Sequence, residues 1–345
     1  MHIASRSSVA LLAAIVAFAP IARANASGSP PPADQLLRRA MTAPRHVSYV
    51  GEVQVLRIGE EKSEAAIFRI EHLAPDLTRR WYLAPQRFYG DSVISRGEKT
   101  YSIDVKRDRV IVAQDDSIDD QVAEDDNFSV LMANYTAEYA PDETVEGRPV
   151  HVVILNNKYT GETTMRVRID AKTDLVVGKE IYGSDGSLVA QTRFEQLRYT
   201  ANIPRQIFDV PQDLAHVAGP ARSLPSIDLQ HVVGSAGFKA MGPKYLPEGF
   251  TPIEGDVTDV KGVRTLHLLY SDGIRTVSLF QNKQNAAVDL SRYRISETKI
   301  DGQSARYVTD GPTTLLTWSE AGLHFTLVGD LTLAELGKIA SSVVP

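Results

Sequence analysis

Residues that could catalyse a reaction or bind a metal occur in this chain, but they do not form a recognisable motif. There are eight histidines and no cysteine, and no two histidines have the spacing of metal ligands. No Gly-x-Ser-x-Gly turn presents a serine nucleophile, and the Gly-rich stretch at 234–237 lacks the Lys-Ser/Thr of a phosphate loop. We expect His72 and His267 to be structural. The sequence predicts a protein that is not an enzyme and has no cofactor.

Acidic residues are concentrated in one short segment. Such a cluster could bind calcium, but it lacks the pattern of an EF-hand loop, in which the ligand residues alternate with others and are followed by a glycine. The other interpretation is a solvated connector that carries the start of a helix, where acids suit the helix dipole. We favour the connector. The acidic residues are Asp115, Asp116, Asp119, Asp120, Glu124, Asp125 and Asp126.

Aromatic residues alternate with arginines on two neighbouring predicted strands around Pro85. Two interpretations are open: these residues fill the apolar face of a sheet, or they line an apolar cleft with a basic mouth. Such a cleft would suit an acyl chain with an anionic head group. The residues concerned are Arg79, Arg80, Trp81, Tyr82, Arg87, Phe88 and Tyr89.

Apolar and polar residues alternate over most of the chain from 47 to 199. Side chains on a strand point to alternate faces, so this pattern predicts an antiparallel sheet with one apolar and one polar face. The apolar face must cover a helix, a ligand or a partner. Predicted strands lie at 47–57, 65–73, 78–83, 87–95, 98–105, 108–113, 136–140, 148–157, 163–170, 174–182 and 188–199, with helices at 33–43 and near 128–135.

We predict that the apolar face of this sheet, with the two helices as plugs or lid, forms a ligand cleft. Its candidate lining residues are Tyr49, Val53, Phe68, Ile70, Trp81, Leu83, Tyr101, Leu131, Met132 and Met165.

The N-terminus has the pattern of a secretory signal. Arg6 precedes an apolar run at 9–22, and the small-x-small sequence Ala-Asn-Ala at 24–26 suits cleavage after residue 26 or 24. An uncleaved anchor is the alternative. We predict an exported, soluble protein of the periplasm. Cleavage after residue 26 removes two arginines and changes the formal net charge from −6 to −8, which argues against nucleic-acid binding.

The domain division follows from composition. Prolines and glycines recur at 201–228 without apolar periodicity, which is typical of a linker. We therefore predict a signal peptide at 1–26, a first antiparallel domain at 27–200, a linker at 201–228 and a smaller antiparallel domain at 229–345. The second domain has predicted strands at 250–260, 263–270, 274–281, 296–300, 303–309, 313–319 and 322–328, and a final helix that opens with a capping box at Thr332 and Glu335.

Short motifs at both ends of this arrangement resemble the MucB/RseB family of periplasmic regulators. The helix LLRRAM at 36–41 and the strand HVSYVGEV at 46–53 are similar to the opening of that family, with its Tyr-x-Gly first strand. The sequence YLPEGF at 245–250 is similar to the start of its smaller C-terminal domain, and 318–328 with the helix at 332–342 is similar to its end.

The resemblance implies a fold, which is a half-barrel for the domain at 27–200, and it implies a partner. It implies a first domain like the LolA/LolB lipoprotein carriers, an unclosed antiparallel barrel with a helical lid, so the expected fold class is mainly β (α+β). It also implies binding to the periplasmic part of a membrane-spanning anti-sigma factor, protection of that partner from proteolysis, and release by lipid-like signals in envelope stress.

Two other functions are compatible with the residues. A periplasmic lipoprotein or lipid carrier would need only the first domain, and two domains in this order favour the regulator. An exported hydrolase would need a nucleophile, which the sequence does not provide in any known motif.

Overall fold

The computed structural model describes residues 30–59, 63–97, 99–114, 125–218, 228–260, 262–283, 294–310 and 312–344. Two features discussed above therefore lie outside the described residues: the predicted signal peptide, and residues 115–124 of the acidic segment. Pro32–Pro345 form one compact unit. Within the described ranges, no helix combines the length and the apolar character needed to cross a bilayer.

The larger sheet of the described residues has twelve strands in the order β12-β6-β5-β4-β3-β2-β1-β11-β10-β9-β8-β7. All neighbours are antiparallel except β12 and β6, and the outer strands β12 and β7 do not pair, so the sheet is open. The strands are β1 (Tyr49–Ile58), β2 (Ser63–Leu73), β3 (Leu77–Ala84), β4 (Ser92–Arg96), β5 (Lys99–Asp104), β6 (Arg109–Gln114), β7 (Tyr135–Val145), β8 (Arg148–Asn157), β9 (Thr163–Asp170), β10 (Val176–Tyr182), β11 (Leu188–Tyr199) and β12 (Ala215–Ala218).

Two helices cover part of this sheet. Helix α1 (Ala33–Thr42) presents Leu36, Leu37 and Ala40 at helical spacing, and α2 (Asp125–Asn134) follows the acidic segment. Both pack on apolar residues of β8 and β9. The predicted helical cover over an antiparallel sheet is confirmed.

The smaller sheet has seven strands among the described residues, in the order β14-β15-β16-β20-β19-β18-β17. Alternate residues of β19 and β20 are buried, and Trp318 stacks on Phe325 with ring centroids 4.9 Å apart. The elements of this part are α3 (Leu229–Ser235), β13 (Gly242–Pro243), β14 (Thr251–Val260), β15 (Val263–Ser271), β16 (Thr276–Asn282), β17 (Ser296–Ile300), β18 (Gln303–Asp310), β19 (Thr313–Glu320), β20 (Leu323–Gly329), α4 (Leu333–Ser341) and β21 (Val343–Val344).

Helix α4 closes the core of the smaller sheet with its apolar face. Leu336 and Ile339 are fully buried there. The predicted capping box is present: the Thr332 hydroxyl accepts from the Glu335 amide, and the Glu335 carboxylate accepts from the Thr332 amide. Together with the open sheet, this confirms the mainly β fold class with a smaller C-terminal sheet and terminal helix.

One predicted strand was wrong in its first half. Residues 87–95 were expected to be extended, but a 3-10 turn at Gln86–Phe88 precedes β4, which begins only at Ser92. The amide of Phe88 donates to the Pro85 carbonyl, and Gly90 adopts a positive φ of 88°. These local bonds make a turn that aromatic composition alone does not reveal.

Candidate binding surfaces

The predicted cleft residues fall into separate packed groups. The first, which we call the helix-covered cluster, joins α1 and α2 to the strands beneath them. Leu131 and Met165 are buried in it, and Met132 packs against its edge. The cluster consists of Ala33, Leu36, Leu37, Ala40, Phe128, Leu131, Tyr135, Val153, Leu155, Met165, Val167 and Ile169.

The second group, the Tyr49 cluster, is centred on β1 and β2. The antiparallel register places Tyr49 opposite His72 and Val53 opposite Phe68, so their side chains share one face. The cluster consists of Tyr49, Val53, Phe68, Ile70, Val150, Val152, Leu175, Val177 and Leu197.

Gly51 explains the Tyr-x-Gly motif of β1. A Cβ at this position would lie 2.4 Å from the Gln196 carbonyl oxygen and 2.8 Å from the Phe194 ring. Phe194 makes an edge contact with Tyr49, with centroids 5.7 Å apart. Only glycine therefore permits β11 to approach β1 closely enough for that aromatic contact.

The remaining three predicted residues lie elsewhere. Tyr101 packs against a third group, the Phe208 cluster, which consists of Ile94, Ile103, Val110, Ile203, Phe208 and Val210. Leu83 is half-buried and belongs to none of these clusters, and Trp81 is 38% exposed. The structure brings together four of the ten residues in the Tyr49 cluster and three around the helix-covered cluster, and separates the others. That they line a ligand cleft stays a prediction.

The two histidines expected to be structural are held by protein groups. The two ring nitrogens of His72 lie 2.8 Å from the Thr78 hydroxyl and 2.7 Å from the Pro44 carbonyl oxygen. His267 stacks on Phe280 at 4.5 Å and lies 3.0 Å from the Ser278 hydroxyl. Among the described residues, no group of acids and histidines is arranged to hold a metal ion.

A buried polar junction joins the larger sheet to the turn after β15. The Asn134 amide donates to the carbonyls of Gly249 and Asp272, at 2.8 and 3.0 Å. The Tyr135 hydroxyl donates to the Asp272 carboxylate at 2.8 Å, and Arg275 donates to the same oxygen at 2.9 Å. Burial, followed by the neighbouring Asp272 carboxylate, raises the pKa of the Tyr135 phenol.

Sequence reasoning missed this junction. Its residues belong to segments more than 100 positions apart, and each lies in an ordinary turn, at a helix end or at the start of a strand. The available signal was the polar pair Asn134-Tyr135 at the C-terminal end of an apolar helix. A polar pair at that place is also typical of an ordinary helix end. It therefore does not indicate that the two residues contact a distant segment.

Two surface pockets lie away from the predicted cleft residues. One, of about 210 Å³, lies beside the junction and includes Tyr159, Tyr245 and Arg275 in its lining. The other, of about 410 Å³, lies on β17–β20 and includes Lys299 and Arg306. None of the ten predicted cleft residues lines either pocket.

The open, helix-covered sheet joined to a smaller sheet defines a two-sheet, mainly β class of protein. A family model described as the MucB/RseB N-terminal domain matches residues 32–212, more than half of the chain. The chain belongs to the MucB/RseB family. A second model, described as a domain of unknown function (DUF4367), matches residues 240–343. A search of curated protein sequences finds no match.

Solved structures with the same fold include three of MucB. A crystal structure of MucB in complex with MucA(peri) is 18% identical, with a TM-score of 0.61, and the alignment covers 91% of this chain and 98% of that one. The Pseudomonas aeruginosa MucA/MucB complex has the same identity and coverage and a TM-score of 0.62. MucB alone is 17% identical, with a TM-score of 0.53 and the same coverage.

Proposed function

We propose that this protein is a periplasmic, non-catalytic regulator that binds the periplasmic segment of a membrane-spanning anti-sigma factor. The observation that carries the proposal is the shared two-sheet architecture, which extends over 91% of this chain when it is compared with MucB bound to MucA(peri). Membership of the MucB/RseB family supports the same partner class. Export to the periplasm belongs to this proposal and follows from the N-terminal sequence pattern.

The binding test uses the chain from residue 27 and the periplasmic segment of an anti-sigma factor encoded beside it. Isothermal titration calorimetry is expected to show a one-to-one complex with a dissociation constant of about 1 μM or lower. A segment of the same composition in scrambled order is the control. No heat and no co-elution at micromolar concentration would contradict the proposal.

Lipid sensing is the second part of the proposal. Leu36 and Ile169 are fully buried where α1 and α2 meet the strands, so an acyl chain must separate helices from sheet to enter. An amphiphile can shift partner binding only if its affinities for the free and partner-bound forms differ. We propose that the opened form binds the amphiphile and has the lower affinity for the partner.

The ion pair between Arg39 of α1 and Asp174, 3.2 Å apart, offers a test of this opening. Arg39→Gln removes a surface ion pair that holds α1 down, so partner release should need up to about fivefold less lysophosphatidylglycerol than in the wild type. Arg45→Gln, at an exposed site just after α1, is the matched control. Equal release curves for all three proteins would contradict a lid role for α1.

A lipid or lipoprotein carrier is the alternative, and the open sheet with its helical cover favours it. A carrier should retain cargo when purified from cells, so native mass spectrometry of the chain from residue 27 would show acyl adducts. An empty mass, together with capture of the anti-sigma segment, would leave the regulator as the better account.

A further inference from the structure

Exposed aromatic side chains gather at one end of β3–β6. Of the eight most exposed large hydrophobic residues in the described part of the chain, four lie here: Trp81 (38% exposed), Phe88 (41%), Tyr89 (55%) and Val105 (51%). We call these four residues the aromatic tip. Single exposed apolar residues are ordinary, whereas a group of them marks an interaction surface.

The backbone of the aromatic tip is held in place by hydrogen bonds. Lys106, in the 3-10 turn Val105–Arg107, donates to the carbonyls of Gln86 and Arg87 at 2.9 and 2.8 Å. The amide of Val105 donates to the Asp91 carboxylate at 3.1 Å. These bonds tie the β5–β6 connection to the β3–β4 connection, so Phe88, Tyr89 and Val105 project from a braced pair of loops, while Trp81 lies on β3.

Aromatic side chains lie on both faces of β3 at this end. Trp81 and Tyr82 are consecutive and therefore point to opposite faces, and Phe88 packs against Tyr82 with centroids 5.9 Å apart. Arg79 lies over Trp81 at 5.7 Å, and Arg87 lies over Phe88 at 4.9 Å. The end of the sheet thus combines aromatic rings with guanidinium groups.

This part of the chain is basic within an acidic protein. Without the β4–β5 turn, which lies at the opposite end of these strands, residues 79–95 and 100–109 carry six basic and three acidic side chains, a net charge of +3, whereas the whole chain has a net charge of −6. One of the six, Arg87, pairs with Glu64 of β2 at 2.8 Å. The Lys106 ammonium donates to the carbonyl oxygens of Gln86 and Arg87, which leave its full charge in place. The local charge suits an anionic surface.

We propose that the aromatic tip docks on an anionic phospholipid bilayer surface, with its rings in the head-group layer and its cations against the phosphates. Tryptophan and tyrosine favour that layer because one part of the ring is apolar and another is polar. Basic side chains are attracted to anionic membrane surfaces, so the net positive charge beside the exposed rings suits anionic lipid. This binding is separate from capture of the anti-sigma segment.

The two tryptophans make the docking measurable. Trp318 is 3% exposed and Trp81 is 38% exposed, so the Trp318→Phe variant leaves one reporter at the tip. The experiment uses the chain from residue 27, which contains the compact unit from Pro32 onward and lacks the apolar run at 9–22. Vesicles of phosphatidylglycerol with phosphatidylcholine should shift the Trp81 emission to shorter wavelength, and brominated lipid should quench it.

Variants separate the apolar and charged contributions. Phe88→Ser with Tyr89→Ser should weaken vesicle partitioning about tenfold, because two apolar contacts with lipid are lost. Lys106→Gln keeps a side-chain donor and should weaken partitioning about fivefold through loss of one charge. Ile295→Ser is the matched control, since Ile295 is as exposed as Phe88 but lies before β17. Unchanged thermal unfolding shows that each variant is folded.

Salt and lipid composition give a readout that needs no variant. Binding should decrease as ionic strength rises and should be absent on pure phosphatidylcholine vesicles. The proposal is overturned if the wild-type chain does not bind the anionic vesicles, or if it binds neutral vesicles equally. It is also overturned if the tip variants lose the anti-sigma segment while keeping vesicle binding, because the tip would then be a protein contact.

Discussion

Gly273 lies in the turn after β15 and permits that turn to pack closely against helix α2. Its φ is +99°, and a Cβ there would lie 2.6 Å from the Leu131 Cα and 2.7 Å from the Leu131 nitrogen. Helix α2 therefore packs directly on the turn after β15, beside the buried polar junction. A side chain would meet backbone atoms, which cannot rotate away as the end of a long side chain can.

Gly273→Ala should destabilise the protein more than Gly302→Ala. Both glycines have a positive φ, but only Gly273 has other atoms close to its Cβ position. Gly302 has a φ of +83° with no atom within 4 Å of its Cβ position, so Gly302→Ala should cost about 1 kcal/mol. Gly273→Ala should cost at least about 2 kcal/mol more, because of the overlap with α2. Urea unfolding of both variants measures the difference, and equal costs would argue against a tight contact there.

Asp272 makes a second prediction at the same junction. Its carboxylate accepts from Tyr135, from Arg275 and from two backbone amides, and its side chain is 1% exposed. Asp272→Ala leaves the Arg275 guanidinium without its carboxylate and should cost about 3–5 kcal/mol in the free energy of unfolding. Asp213→Ala, at an exposed site, should stay within about 0.5 kcal/mol. A small loss for Asp272→Ala would show that water replaces the carboxylate.

At the scale of elements, charged side chains join β9 both to its neighbour β10 and, across β8, to β7. Arg168 pairs with Glu143 at 2.7 Å and with Glu180 at 3.0 Å, and Tyr182 donates to Glu180 at 2.7 Å. Hydrogen bonding to Arg168 lowers the pKa of Glu143. Burial acts to raise the pKa of Glu180, but the bonds from Tyr182 and Arg168 outweigh it, so that pKa is lowered too.

These lowered pKa values predict a loss of stability in acid. A carboxylate with a lowered folded-state pKa stabilises the fold above its ordinary value of 4.5, and this contribution disappears as pH falls through the folded-state pKa. Glu180→Gln should therefore cost about 1–2 kcal/mol at pH 7 and progressively less in acid. Urea unfolding at several pH values measures the difference between the two proteins. A difference that does not depend on pH would contradict this origin.

At the scale of the whole molecule, the chain after β11 remains part of the larger sheet's core. Ile203, Phe208 and Val210 are buried in the Phe208 cluster, and β12 pairs with β6. The segment predicted as the start of a linker therefore packs on the first sheet over residues 203–218, and the match to the N-terminal family model extends to residue 212. The division into domains at 200 and 229 stays a prediction.

Two fragments test where the first domain ends. A fragment of residues 27–218 keeps the Phe208 cluster, whereas a fragment of 27–200 leaves a cavity of the kind made by deleting buried aromatic and aliphatic side chains. The shorter fragment should be less stable by at least about 3 kcal/mol, or should fail to fold. Circular dichroism during thermal unfolding compares them. Equal midpoints would support an end near residue 200.

Local pattern in the sequence determined the elements and their order. Alternation with period two placed most strands of both sheets, helical spacing placed α1, and the Thr332–Glu335 box placed the start of α4. Each of these signals arises from contacts between residues close in sequence or from the burial of one face of an element. Such signals can therefore be read from a single sequence. The strand expected at 87–95 was misplaced because proline and glycine turns compete locally with aromatic strand formers.

Tertiary structure alone decided which apolar residues meet. The ten predicted cleft residues share strand and helix faces, yet the fold divides them among the helix-covered, Tyr49 and Phe208 clusters and leaves Trp81 and Leu83 outside all three. The junction of Asn134 and Tyr135 with Asp272, and the exposure of Trp81, also depend on contacts between distant segments. A sequence specifies which face of an element is apolar, whereas the geometry of packing decides what that face meets.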